Sequence, residues 1–360
     1  MMGKKFTRNI LNASIRGDYD SKFKFHLLFD NCIVEVETNY SRLHEKLRQY
    51  FRPFLIDPRL PDIRVTALEA PPKSVPFDFI VKQPDPGKTK IKEEYADIAG
   101  GRIVRKRLTD MMFIFGQGDN LAIGPCTSNY NQVINFINNR YIEWKLNQGG
   151  VLGHAAGISF NGKGLALAGF AGMGKSTLSL RMLSEGAVFI SNDRLIVQKV
   201  SDKLFMYGVA KYPRINPGTI LHNEDLDGIL PEKQKKIYQK LTPNELWMLE
   251  HKYDVPIDQY YGPGRFNLKS HLNGLVILNW KRTCDPPMFR KINLAERTDL
   301  LDAFMKETGL FYQQESKTFI IPPTSDAYVK ILTGCDCFEI TGGVHFDQAA
   351  MFCMDFLKNG

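Results

Sequence analysis

A chain of 360 residues, 43% hydrophobic and 24% charged, has the composition of a folded globular protein and the length for two domains, which excludes disordered and fibrous classes. Its longest apolar runs, such as Gly274–Trp280, fall well short of the ~18 to 20 residues of a membrane span, and its basic N-terminus lacks the apolar core of a secretory leader, so a cytoplasmic protein without a membrane partner is expected. The formal charge of +8 is compatible with a phosphorylated or nucleic-acid partner and equally with an ordinary basic surface.

Short alternating segments fill the chain as far as about Pro125. Phe23–Phe29 and Cys32–Thr38 flank Asp30-Asn31, which predicts a hairpin. Ser41 then caps an expected helix with Leu43, Leu47 and Phe51 on one face. Two further hairpins are expected to turn at Gly100-Gly101 and at Gly118-Asp119-Asn120. The basic run from Arg102 to Arg107 suits a polyanion, but alternating charge on the exposed side of a hairpin is the commoner origin of such a pattern. Val133, Ile134, Ile137, Tyr141 and Trp144 recur at helical spacing behind Ser128 or Asn129 as cap. Residues 1–150 therefore read as an α+β domain closed by a linking helix, and residues 151–360 as a second, α/β domain.

In that second domain, an apolar run, Gly164 to Ala168, precedes Gly169-Phe170-Ala171-Gly172-Met173-Gly174-Lys175-Ser176, and a helix from Thr177 to Glu185 follows, stopped by Gly186. The glycine cluster fits G-x-x-x-x-G-K-[ST] in its required strand-loop-helix setting. Glycines let successive N–H groups turn inward toward phosphates, and the helix N-terminus adds partial positive charge. Lys175 would reach the β- and γ-phosphates of a nucleotide, Ser176 would offer its hydroxyl to Mg²⁺, and residues 169–177, ending at Thr177, would line the triphosphate. The next strand delivers Asn192 and Asp193 at its C-terminal tip, where open α/β sheets bind ligands. Asp193 is placed there to hold the metal or to activate a hydroxyl.

Beyond these motifs, Asp225–Glu250 reads as a lysine-rich helical insertion, with docking of a partner or a solvated face both open. Asn293 and Glu296 open an expected helix that runs through Leu300, Leu301 and Phe304 to Gly309. Strands are expected at residues 317–323 and 337–343, and an apolar helix closes the chain. The six cysteines are scattered apart from the Cys335/Cys337 pair and read as reduced thiols without a metal.

The stretch from Gly153 to Val197 resembles the catalytic core of the HPr kinase/phosphorylase family, and in particular its HPr-kinase-related branch. In that family a histidine precedes the P-loop lysine by 21 residues and an Asp-Asp pair follows it by 17 and 18; here His154, Asn192 and Asp193 stand at those places around Lys175. Val255–Trp280 resembles the family's second signature, a Pro-Gly-Arg-Asn loop before a strand, with Arg265 at the arginine. The resemblance spans roughly residues 150–280 and implies a PEP-carboxykinase-like P-loop fold that transfers the γ-phosphoryl group of ATP, with Mg²⁺, to a hydroxyl, in known members a protein serine. It implies catalytic roles for Lys175, Asp193, His154 and Arg265, and metal ligation by Ser176, Asp193 and Asn192. Asn192 replaces a family aspartate, which leaves one carboxylate for two tasks and calls reverse phosphorolysis into question. Arg214 stands open as a second phosphate contact or a surface arginine. An ATP-binding regulator without catalysis, a PEP-carboxykinase-type metabolic enzyme and a kinase of RNA or a small molecule are the competing readings, and a homo-oligomer stays open.

Overall fold

The computed structural model describes residues 7–84, 89–116, 118–249, 251–313 and 323–359. It is a mixed α/β chain with several sheets, divided into two compact units: residues 1–148 with 308–319, and residues 149–307 with 320–360.

In the first unit, nine described strands form one sheet. The Phe23–Phe29/Cys32–Thr38 hairpin pairs in full register through a turn whose Asp30 takes φ 55°, a left-handed conformation that Asp tolerates. Three members of the basic run Arg102–Arg107 meet acids directly across the hairpin from the strand Gly101–Lys106: Asp97 opposite Arg102, Glu94 opposite Arg105 and Glu93 opposite Lys106, each in an ion pair. That neutralises the stripe in place. The helix Ser41–Tyr50 begins one residue earlier than expected: Tyr40 is the cap and no side chain caps it, so Ser41 lies inside the helix. A helix at Arg8–Gly17, capped by Thr7, was not expected from its mixed polar pattern. The linking helix Tyr130–Leu146 buries Val133, Ile137 and Tyr141 as its periodicity requires. Phe311 returns to this unit and packs against Phe113, Phe115 and Phe136, while its carbonyl accepts from buried Arg140.

The second unit has a six-stranded sheet in the order Val188–Ser191, Ala155–Phe160, Lys163–Gly169, Gly274–Leu278, Asp336–Thr341, Met288–Lys291. A four-stranded sheet, Val151–Gly153, Leu195–Val200, Lys203–Tyr207 and Lys269–His271, lies in the same unit. The chain passes from one sheet to the other at His154, at Asn192–Arg194 and again at Leu272–Asn273, and the first two of these corners matter for the site. Because Gly153 pairs with Leu195 and Gly157 with Ser191, the corners at His154 and Asn192–Arg194 face each other. Close approach of backbone at this junction demands a missing side chain: a Cβ on Gly208 would lie 1.7 Å from Ile190 O.

The helix expected across residues 293–309 is a six-residue 3-10 turn, Thr298–Ala303. Leu300, Leu301, Ala303 and Phe304 are all buried, and Met305 bridges to Gly153 as strand-like backbone, which ends the turn. The Asp225–Glu250 insertion holds two short helices, Glu232–Tyr238 and Pro243–Met248, the second with a Thr242/Glu245 capping box. Strand Asp336–Thr341 and helix Phe346–Asn359 form as expected, whereas residues 317–322 of the other expected strand lie outside the described residues. Among the described residues, no helix is long and apolar enough to cross a membrane.

Candidate functional site

The strand Lys163–Gly169 is apolar because it is covered on both faces: Leu165, Ala166, Leu167 and Ala168 are fully buried, and it lies between antiparallel Ala155–Phe160 and parallel Gly274–Leu278. At Gly169 the chain leaves the sheet and turns sharply before the helix Lys175–Ser184. Gly172 and Gly174 have φ of 86° and 84°, which explains why the loop needs glycine at both. A Cβ on Gly174 would also lie 2.6 Å from the Phe346 ring, and Trp280 donates its indole N–H to Met173 O at 3.0 Å, so two aromatics brace the loop from outside. The first bond of the helix runs from Leu178 N to Gly174 O, leaving the amides of Lys175, Ser176 and Thr177 outside the helical ladder. Gly186, at φ 100°, stops the helix as expected, with Ala187 N on Met182 O and Gly186 N on Leu183 O.

Lys175 is only 8% exposed and folds back on the loop, its Nζ donating to Gly169 O at 2.6 Å. Burial lowers its pKa to about 8, Lys306 and Lys252 push the same way, and Asp193 opposes them. At the facing corners His154 Nε2 lies 3.0 Å from Asp193 Oδ1, and His154 N is held by Phe304 O at 2.6 Å. The bond to His154 holds the Asp193 carboxyl far below the ordinary carboxylate range; Lys306 and Lys175 add to this and partial burial opposes it. The side chain of Asp193 is 66% exposed, so its oxygens remain open to a ligand.

Four cations act electrostatically on this single carboxylate: Lys175, Arg194, Lys211 and Lys306. Burial lowers the pKa of each, and in Lys211 and Lys306 the neighbouring Arg194 adds to the effect. Positive groups crowded together with partial loss of water create a place where anionic oxygens are favoured. Lys211 and Lys306 were missed in the sequence because neither belongs to a motif; Lys306 fell inside the helix expected at 293–309.

Arg265 does not join this group. It donates to Leu183 O at 2.6 Å and to Ala187 O at 2.5 and 2.9 Å, closing the C-terminal end of the loop helix, the end away from Lys175. Its segment pairs with the Val188–Ser191 strand through Phe189 and Asn267, which fixes it there. Arg214 is a surface arginine paired with Asp254 at 3.3 Å.

The donors suited to Mg²⁺ are hard oxygens: the Ser176 hydroxyl, the Asp193 carboxylate and the amide oxygen of Asn192. Asn192 Oδ1 is buried without a hydrogen-bond partner, an orphaned acceptor at the corner that a cation or its water would satisfy. No group of three or more His, Cys, Asp or Glu side chains able to hold a metal occurs among the described residues. That donor set still fits Mg²⁺, which takes one or two protein oxygens and completes its shell with water and phosphate.

Beside the loop lies a cavity of about 1190 Å³, lined by Ala171–Met173, Thr177 and Arg181 and by Asn216, Gly218, Thr219, His222 and Phe346. Thr177 Oγ1 is 2.8 Å from Thr219 Oγ1, tying the first helical turn to the far wall.

Neither a family model nor a curated protein matches the chain. Among solved structures, the HPr(Ser) kinase/phosphatase from Coxiella burnetii aligns with 58% of this chain and 94% of its own length at 11% identity, with a TM-score of 0.29. A likeness at that level carries no argument, and the chemistry rests on the geometry of the site.

Proposed function

We propose that this chain is an ATP-dependent phosphotransferase with a PEP-carboxykinase-like P-loop core, which passes the γ-phosphoryl group to a hydroxyl of a protein serine or threonine. The observation that carries this reading is the meeting of the loop lysine and the His154–Asp193 pair within one surplus of positive charge. A glycine loop alone would hold phosphate; a carboxylate facing its lysine gives the terminal phosphate something to react beside.

Phosphoryl transfer through a loose transition state depends mainly on positioning and on spreading charge. The amides of residues 172–177 would hold the triphosphate, and Lys175, leaving the carbonyl of Gly169, would swing to the β- and γ-oxygens. Lys306 and Lys211 would take the place that the resemblance gave to Arg265, neutralising charge on the γ-phosphoryl oxygens. Asp193, ionised well below neutral pH, is a weak proton sink and a good hydrogen-bond acceptor. Its role is to orient the acceptor hydroxyl, whose oxygen bonds to phosphorus as the bond to the β-bridging oxygen breaks and ADP leaves; the hydroxyl proton passes late to Asp193 and from there to solvent. His154 positions Asp193. Mg²⁺ at Ser176, Asn192 and Asp193 would supply further neutralisation of the phosphate oxygens.

Incubation with γ-labelled ATP, Mg²⁺ and fractions of a host lysate tests this reading. A protease-sensitive labelled band that disappears with Asp193→Asn is expected. A nuclease-sensitive band would assign the acceptor to RNA, and tight ATP binding with no transfer to any fraction would overturn the proposal. That last outcome would favour a nucleotide-binding regulator, a reading supported by Asn192 standing where a second acid would serve catalysis.

A further inference from the structure

We infer that the outer face of helix Glu232–Tyr238 is the docking surface for the acceptor protein, which presents to it a segment of acidic residues around one apolar side chain. This rests on the phosphotransferase reading and names the chemistry by which the partner is held.

The insertion that carries this helix begins and ends beside the site. Arg214–Ile215 pairs with Tyr253–Asp254 and closes its neck. Lys211, just before the neck, acts electrostatically on Asp193, and Lys252, where the insertion returns, acts on Lys175. A protein held on the insertion is therefore held next to the carboxylate that receives its hydroxyl. No residue of the helix lines the cavity beside the glycine loop, so the two surfaces are distinct.

The helix is anchored through polar groups. Tyr238 Oη lies 3.2 Å from Tyr253 Oη, which donates to Gln234 Oε1 at 2.6 Å, and Lys235 pairs with Asp227. Lys233, Lys236, Ile237 and Lys240, the last just past the helix end, stand at the i, i+3, i+4 and i+7 spacing that gathers side chains on one face. All four are exposed, Ile237 by 60%. Asp227 is taken by Lys235, and among the described residues Lys233, Lys236 and Lys240 form no ion pair. An apolar side chain among uncompensated charges has the make-up of a small protein interface, with a centre that excludes water and a charged rim that selects the partner. Ile237 calls for an apolar partner, and three ammonium groups spread over about 10 Å of helix call for carboxylates. A membrane-binding segment gathers about four to eight basic residues, more than this face holds. Single-stranded nucleic acid is read by aromatic or arginine planes on which bases stack, and the face has neither.

Fluorescence anisotropy of the full chain with a fluorescein-labelled synthetic peptide, glutamates on both sides of a central leucine, reads the surface directly. The wild type is expected to bind it, and the charge-reversed variant Lys233→Glu/Lys236→Glu/Lys240→Glu to bind it about tenfold or more weakly. Ile237→Ser should weaken it by about fivefold or more. The same peptide with lysines for glutamates should bind the charge-reversed variant and not the wild type, a rescue that also reports an intact fold. With γ-labelled ATP and the lysate fraction that carries the protease-sensitive band, charge reversal should raise KM for the acceptor by about tenfold or more, with kcat and ATP affinity unchanged. Three results overturn the docking surface: no peptide binding by the wild type, equal affinities in wild type and both variants, or a lysine-dependent preference for single-stranded RNA or phosphatidylserine vesicles over the peptide. Wild-type transfer that charge reversal leaves at its full rate and KM overturns the docking surface while the phosphotransferase reading stands. Peptide binding with no transfer to any protein overturns the phosphotransferase reading, and with it the acceptor as occupant.

Discussion

Replacing Lys175 by methionine should remove function while leaving the free protein as stable as before, or more so. In the folded chain the pKa of Lys175 falls from 10.5 to about 8, chiefly through burial. At about 1.36 kcal/mol per pH unit, holding this ammonium protonated at neutral pH costs the fold about 3 kcal/mol. Methionine removes that cost and forfeits the charged hydrogen bond to Gly169 O, a bond of 2.6 Å. Such bonds are worth about 1.5–3 kcal/mol, so the net effect lies between zero and a gain of about 1.5 kcal/mol. For a unit of this size that is a rise in Tm of up to about 5 °C. ATP affinity should fall on the order of 100-fold with loss of one charge-assisted phosphate contact. The pH dependence carries a sign. Because the folded pKa is depressed, the unfolded chain binds the extra proton between about 8 and 10.5, and wild-type stability should rise with pH through that window relative to Lys175→Met. Urea unfolding across pH and calorimetric ATP titration measure both effects. A variant destabilised by more than about 2 kcal/mol that still binds ATP normally would refute the reasoning and make Lys175 a structural residue.

Three further outcomes follow from the same geometry. Asp193→Asn should cut phosphoryl transfer by about 100-fold or more yet tighten binding of ATP measured without Mg²⁺, because it removes a negative charge from beside the γ-phosphate; weakened binding of metal-free ATP in a calorimetric titration would count against its placement. Arg265→Met should lower stability by about 1–3 kcal/mol, by leaving the carbonyls of Leu183 and Ala187 unsatisfied, with ATP affinity of the folded protein unchanged. A stable variant with tenfold weaker ATP binding would return Arg265 to the phosphate site. Above about pH 8 Lys175 must regain its proton when a triphosphate binds, so ATP affinity should weaken by up to about tenfold per pH unit; affinity constant to pH 9.5 would contradict this.

What could be read from the sequence was local. Hairpin turns announce themselves through residues that accept unusual φ, as at Asp30 and Gly100, and the glycine loop sits between an apolar strand and a helix whose stop at Gly186 is a single-residue signal. Alternation made the charges from Arg102 to Arg107 legible as one side of a hairpin, but their pairing with acids of the preceding strand was a matter of register. Long-range effects were not legible. Nothing near Arg265 reveals that two carbonyls at the end of another helix will claim its guanidinium. Lys306 reaches the site because Met305 bridges to Gly153, a pairing of backbone far apart in sequence that also breaks the helix expected there. The corner at His154 depends on two strands belonging to different sheets, which a run of apolar residues on both sides does not disclose.

A crystal structure of the protein with Mg²⁺ and a non-hydrolysable ATP analogue tests the central claim most directly. The account predicts phosphates along the amides of residues 172–177, Lys175 turned from Gly169 O to the terminal phosphates, and the γ-phosphate beside Asp193. A nucleotide bound elsewhere, or one bound in the loop with Lys175 still on Gly169 O and Asp193 directed away from the γ-phosphate, would contradict it.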